Sequence, residues 1–127
     1  MITGAHFLFY STNADADRAF LRDVLGFHGV DAGGGWLILR VPPAEMAVHP
    51  NETNLTMAHG PTPMAAAVMY LICDDLDRTI GDLKEKGVTC GRVGQADWGR
   101  FTSFPLPSGA SLGLYQPSHP MAIERAS

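Results

Sequence analysis

The sequence predicts an α+β protein made of two tandem βαβββ modules, and three observations carry that expectation. First, an apolar run, an Asp-x-Asp-Arg helix start and a closing glycine occur twice. They read His6-Phe7-Leu8-Phe9-Tyr10, Asp15-Ala16-Asp17-Arg18 and Leu25-Gly26-Phe27, then Ala67-Val68-Met69-Tyr70-Leu71-Ile72, Asp75-Leu76-Asp77-Arg78 and Lys86-Gly87-Val88. Second, the copies keep an offset of roughly sixty residues throughout, and repetition at a fixed offset is stronger evidence than any single motif. Third, each helix is followed by strand-like runs that end in proline, at Val48-His49-Pro50 and Tyr115-Gln116-Pro117.

Taken in order, residues 5–10 are apolar on both faces. That suits a strand covered by a helix on one side and by the partner module or a cavity on the other. Ser11-Thr12-Asn13 offers capping oxygens for a helix over 14–25, where Ala16, Ala19, Phe20 and Val24 make one apolar stripe. Gly26 fits the left-handed position that ends such a helix. A strand at 27–30, a turn at Asp31-Ala32-Gly33-Gly34-Gly35 and a strand at 36–41 follow, before Pro42-Pro43 turns the chain into a last strand at 46–49. The glycine run lies between strands rather than before a helix, so it is not a phosphate loop.

Residues 51–65 carry Pro61, Pro63, Gly60, Asn51 and Asn54 without any period, and read as a linker. The second half then predicts a strand at 66–73, a helix at 75–86 and strands at 88–93, 98–104 and 110–115, with a turn at Pro107-Ser108-Gly109. The expected organisation is one domain, 1–118, of modules 4–50 and 66–117, with a loose tail at 119–127.

Composition excludes several classes. With 127 residues, 46% hydrophobic and 17% charged, the chain can bury a core without disulfides or a structural metal. A net charge of −4 and only nine scattered basic residues argue against nucleic acid. No apolar run nears the roughly twenty residues of a membrane span. The start, Met1-Ile2-Thr3-Gly4, lacks the charged region of a signal peptide. A cytoplasmic location is therefore expected, with Cys73 and Cys90 as free thiols. The glycosylation-like triplets at Asn51 and Asn54 are then chance matches in a polar loop.

The ending Val24-Leu25-Gly26-Phe27 of the first helix, the run from Tyr70 through Asp77, the Lys86-Gly87-Val88 turn and Leu112-Gly113-Leu114-Tyr115-Gln116-Pro117 resemble the vicinal oxygen chelate superfamily. That superfamily includes glyoxalase I, bleomycin-resistance proteins and extradiol dioxygenases. The likeness runs from Gly4 to about Pro117 and implies paired βαβββ modules whose curved sheets enclose a cleft. The scaffold hosts unrelated activities, so fold alone does not give function.

Metal-dependent relatives place ligands at the start of each first strand and the middle of each last strand. The resemblance puts His6 at the first of these points and Val68, or its neighbours Ala66 and Ala67, at the matching point of the second module. The carboxylate position of the last strand falls on Gly113, two residues before Tyr115. Its counterpart lies near Met46, flanked by Glu45 and His49 on the opposite face of an alternating strand. A catalytic divalent metal usually needs three protein ligands. His6 is one match, and His49 and Glu45 would each need a register shift, so no cofactor is expected, with a divalent metal the alternative.

Trp36 and Trp98 each open a strand after their module's helix and could stack on a planar ligand, or simply cover the core edge. Arg100 and Arg40 could meet an anionic group or remain solvated. His6, Trp36, Trp98, Arg100 and Tyr115 are the candidate ligand-binding residues. The paired aspartates favour the helix dipoles and are read as structural. His28, His59 and His119 show no ligand spacing. Cys73, at a strand-to-helix junction, is the one nucleophile candidate, against the plainer reading of a buried inert thiol.

Two functions compete, with a ligand-free interaction module as a third. The favoured one is a protein that binds a small molecule in the cleft without chemistry, lined by residues such as Phe7, Phe9, Met46 and Met69. The alternative is a metal-dependent lyase or dioxygenase using His6. The resemblance also implies a homodimer.

Overall fold

The computed structural model describes residues 6–8, 10–48 and 50–123. Its two helices form where the capping signals place them. Helix α1 spans Ala14–Asp23 and is capped by Asn13, whose side chain accepts the Ala16 N–H at 3.3 Å. Helix α2 spans Leu76–Glu85 and is capped by Asp75, whose carboxylate accepts the Arg78 N–H at 3.1 Å. Each cap satisfies an N–H that the first turn leaves without an intrahelical partner. Gly26 and Gly87, at φ 77° and 82°, take the left-handed conformation that ends each helix.

The chain divides into two compact units, Met1–Val41 with Pro105–Ser111, and Pro42–Phe104 with Leu112–Ser127. The first holds α1 and an antiparallel hairpin of β1 (Gly29–Asp31) and β2 (Leu37–Leu39), in the register Val30↔Ile38. In this unit Asp17 is buried, and both its oxygens are bonded by Ser108. The Ser108 N–H donates to Oδ1 at 3.0 Å and the hydroxyl to Oδ2 at 2.7 Å.

The second unit contains a hairpin of β3 (Thr56–His59) and β4 (Thr62–Ala65) and a four-stranded sheet. The sheet has the order β5-β8-β7-β6, with β5 at Tyr70–Ile72, β6 at Gly94–Ala96, β7 at Gly99–Pro105 and β8 at Ser111–Pro117. Strand β5 is parallel to β8, and β6 is antiparallel to β7. The sequence β5-α2-β6-β7-β8 is one full βαβββ module. Leu76, Leu83, Val88, Phe104, Leu112 and Leu114 are its buried apolar residues. Leu112 and Leu114 alternate with Gly113 and Tyr115, which therefore belong to the other face of β8.

The α+β class is as expected, but several elements differ. The linker expected at 51–65 contains the β3–β4 hairpin, with Met57 facing Met64 across it. Two strands pair there because Gly60, at φ 58°, reverses the chain, a local event that proline and asparagine content conceals. The strands expected at 5–10 and 46–49 are not strands at residues 6–8, 10 and 46–48. Phe9 and His49 lie outside the described residues. An apolar run becomes a strand only when a neighbour completes its hydrogen bonds, and that partner is not encoded locally. The strand expected at 88–93 begins instead at Gly94, after a segment fixed to β7 by a Gly91 N–H bond to the Ser103 carbonyl at 2.7 Å.

Candidate ligand-binding site

The second unit gathers an aromatic cluster on the face of the sheet that carries Tyr115. The rings of Tyr70, Trp98 and Tyr115 are mutually near-perpendicular. Tyr70 and Trp98 meet at 81° with centroids 6.3 Å apart. Tyr70 and Tyr115 meet at 89° and 5.6 Å, and Trp98 and Tyr115 at 75° and 5.6 Å. Phe101 stacks on Trp98 at 4.9 Å and 19°. Such edge-to-face and offset contacts are favourable because each ring has a negative face and a positive edge. Tyr70 and Trp98 nevertheless keep 43% and 41% of their surface exposed.

Glycines make room for this cluster. Tyr70 is the register partner of Gly113 on β8, and a Cβ on Gly113 would run into the Tyr70 ring. Phe101 covers Gly94, its partner on β6, in the same way. A glycine beneath a cross-strand aromatic is a known way to seat a ring flat on a sheet. Gly99 sets the approach of Trp98. Its φ of 151° disfavours any side chain, and a Cβ there would strike the Gln116 carbonyl. Ser118 completes the setting, its N–H donating to the Trp98 carbonyl at 2.9 Å and its hydroxyl to the Asp97 carbonyl at 2.8 Å.

A polar chain extends from Tyr115. His119 Nδ1 lies 2.7 Å from the Pro120 carbonyl, which can only accept, so that nitrogen carries the proton. In the neutral ring Nε2 then accepts the Tyr115 hydroxyl proton at 3.2 Å. Glu45 lies beyond, with Oε1 at 4.0 Å from Nε2 and Oε2 accepting the Ala122 and Ile123 N–H groups at 2.7 and 3.3 Å. Burial, and then the Glu45 charge, push the Tyr115 phenol above its ordinary value, so it stays protonated. Ala122 and Ile123, in the expected loose tail, are thus anchored by Glu45 from far away in sequence, and His119 bonds Tyr115 four residues before it, while 124–127 lie outside the described residues.

Of the candidates named from sequence, Trp98 and Tyr115 come together. Arg100 does not present a free charge, because both its terminal nitrogens bond Asp77 at 3.1 and 3.2 Å. Trp36 belongs to the first unit, where the Arg18 guanidinium sits 5.2 Å from its ring centroid. His6 is exposed in that same unit. Tyr70, Phe101 and His119 were not singled out by sequence reasoning. Gly113 and Gly94 were the available signal, since glycine inside a strand often marks close approach by another group. Cys73 is no activated nucleophile. Burial pushes its thiol up, and the S–H donates to the Tyr115 carbonyl at 3.5 Å.

The described residues do not assemble a site that fits a divalent metal. Among the described residues no three His, Cys, Asp or Glu side chains stand together so as to hold one. Glu45 is engaged by two backbone amides, and the Tyr70 ring lies where a side chain on Gly113 would project. Candidate ligand His49 lies outside the described residues.

This fold and aromatic face define a small α+β protein of the βαβββ type. Residues 4–114 match the Glyoxalase/Bleomycin resistance protein/Dioxygenase superfamily, and the chain belongs to it. Among solved structures it is similar to TnmS3, an antibiotic binding protein from Streptomyces sp. CB03234. The identity is 26%, with a TM-score of 0.59 over 93% of this chain and 99% of that one. It also shares its fold with lactoylglutathione lyase from Agrobacterium tumefaciens (19% identity, TM-score 0.61, covering 90% and 92%). A superfamily member from Sphaerobacter thermophilus is a further fold relative (22% identity, TM-score 0.56, covering 91% and 98%). No curated protein matches the chain.

Proposed function

We propose that the protein binds a small planar or apolar molecule on the Tyr70–Trp98–Tyr115 face. The observation that carries the reading is the pair of large rings, Tyr70 and Trp98, held open to solvent by the glycine seats beneath Tyr70 and Phe101. Exposed aromatic surface held rigid by packing binds ligands with little ordering cost. The similarity to an antibiotic binding protein supports the same reading. Trp36, the other tryptophan candidate, lies in the first unit with a face already taken up by Arg18, so the reading assigns stacking to the second unit's face. Arg100 is the polar contact of this face once released from Asp77, and His6 is a separate exposed candidate contact of the first unit.

A saturation-transfer NMR screen of neutral and charged small aromatics against the intact protein tests it. Binders whose signal disappears in Trp98→Leu support the reading; a set with no binders, or binders indifferent to that change, overturns it. The reading includes a homodimer, measured by light scattering, and a cytoplasmic location, which accords with free thiols at Cys73 and Cys90. No helix among the described residues is long and apolar enough to cross a membrane.

A further inference from the structure

We propose that Tyr70, Trp98 and Tyr115 form a cage for a methylated ammonium group, so that the ligand is a small quaternary ammonium cation or a molecule carrying one. This rests on the binding reading above and names its ligand class. The pairwise angles of 81°, 89° and 75° make the three rings approximate the walls of one corner of a box. With centroids 5.6–6.3 Å apart, a cation at that corner would lie about 4 Å from each ring, inside the roughly 6 Å reach of cation–π attraction. Three ring faces replace the weak hydration of a methylated ammonium. A primary ammonium loses more hydration than a methylated one on entering such a corner, and ring faces offer its N–H groups no full hydrogen bonds in return.

Two further features agree. Phe101 covers one face of Trp98, which stiffens that wall. Glu45, fixed by the Ala122 and Ile123 amides, places a carboxylate behind the Tyr115–His119 pair, so the field at the cage favours a cation. The chain also shows what happens when a protein cation takes such a face. In the first unit Arg18 sits over Trp36, whereas Arg100, the basic residue nearest Trp98 in sequence, is committed to Asp77.

The test compares choline with its neutral isostere 3,3-dimethyl-1-butanol by calorimetric titration of the intact protein. The proposal expects choline to bind about tenfold more tightly. It expects Trp98→Leu or Tyr70→Leu to bring the two probes level, and Glu45→Gln to weaken choline alone by a few-fold. Circular dichroism identifies any variant that fails to fold, and the wild-type comparison decides the matter without variants. Equal affinities, or tighter binding of the alcohol, overturn the cage while leaving the binding reading in place. The same holds if neither probe binds but neutral planar aromatics do. Absence of all binding overturns both.

Discussion

The two halves of the chain begin from nearly the same local instructions and end with different surfaces. Both helices run ten residues, both start at a side-chain cap, and both stop at a left-handed glycine. Their equivalent aspartates then part company. Asp17 is buried and takes two hydrogen bonds from Ser108, while Asp77 is exposed and pairs with Arg100. The tryptophans differ in the same way. Trp36 lies at the turn of a two-stranded hairpin and faces Arg18, whereas Trp98 is locked among Tyr70, Phe101 and Tyr115 on a four-stranded sheet. Repeated sequence thus reproduces helices, whose signals are local. It does not reproduce sites, which depend on partners from elsewhere in the chain.

The sharpest way to break this contrast is Gly113→Leu. A side chain there must displace the Tyr70 ring, so ligand binding at the aromatic face should disappear. Overpacking of this kind costs about 1–3 kcal/mol, to be read from urea denaturation. Normal binding and stability in this variant would mean that the ring is not seated on Gly113.

Asp17→Ala leaves the aromatic face intact and changes stability alone, at a cost of about 1–3 kcal/mol, because it removes a buried carboxylate and leaves the Ser108 donors unmatched. Asp77→Ala, at the equivalent exposed position, should leave the denaturation midpoint unchanged. The Asp17 effect has a defined pH dependence. Burial alone would raise the Asp17 pKa, but bonds from the Ser108 hydroxyl, Ser11 and the Ser108 amide outweigh it and hold the group below its ordinary 3.8. A carboxylate with a lowered folded pKa stabilises fully above the unfolded value and loses that contribution as pH falls through the folded one. The stability gap between wild type and Asp17→Ala should therefore be constant near neutrality and narrow only below 3.8. A gap that narrows between pH 5 and 7 would contradict the assignment.

A smaller effect is expected from Glu45→Ala. Loss of the carboxylate frees the Ala122 and Ile123 amides, so both should exchange with deuterium faster by about tenfold, while the α2 core amides keep their protection. Unchanged exchange at those two amides would show that the C-terminal segment is held by other means.

These contrasts also mark how far the sequence could be read. Asn13, Asp75, Gly26 and Gly87 carry their meaning within a few residues, so both helices were legible. The pairing of β5 with β8 unites residues more than forty positions apart, and the strands expected at 5–10 and 46–49 show that apolar runs without a specified partner are ambiguous. Within the site, Trp98 and Tyr115 were legible as aromatics on strands. Tyr70 was not, because its role is defined by Gly113 opposite it. Gly113 read as a missing carboxylate, whereas physically it is the floor under a ring. His119 reads as part of a tail, because neither the turn that brings it back on Tyr115 nor the approach of the distant Glu45 has a local sequence signal.

The central claim is that ligand recognition belongs to the second half's aromatic face and not to its counterpart around Trp36. Fluorescence quenching of two single-tryptophan proteins, Trp36→Phe and Trp98→Phe, by a bound aromatic ligand tests this directly. The prediction is saturable quenching in the protein that retains Trp98 and none in the one that retains Trp36. Saturable quenching of Trp36 with an unaffected Trp98 would contradict it.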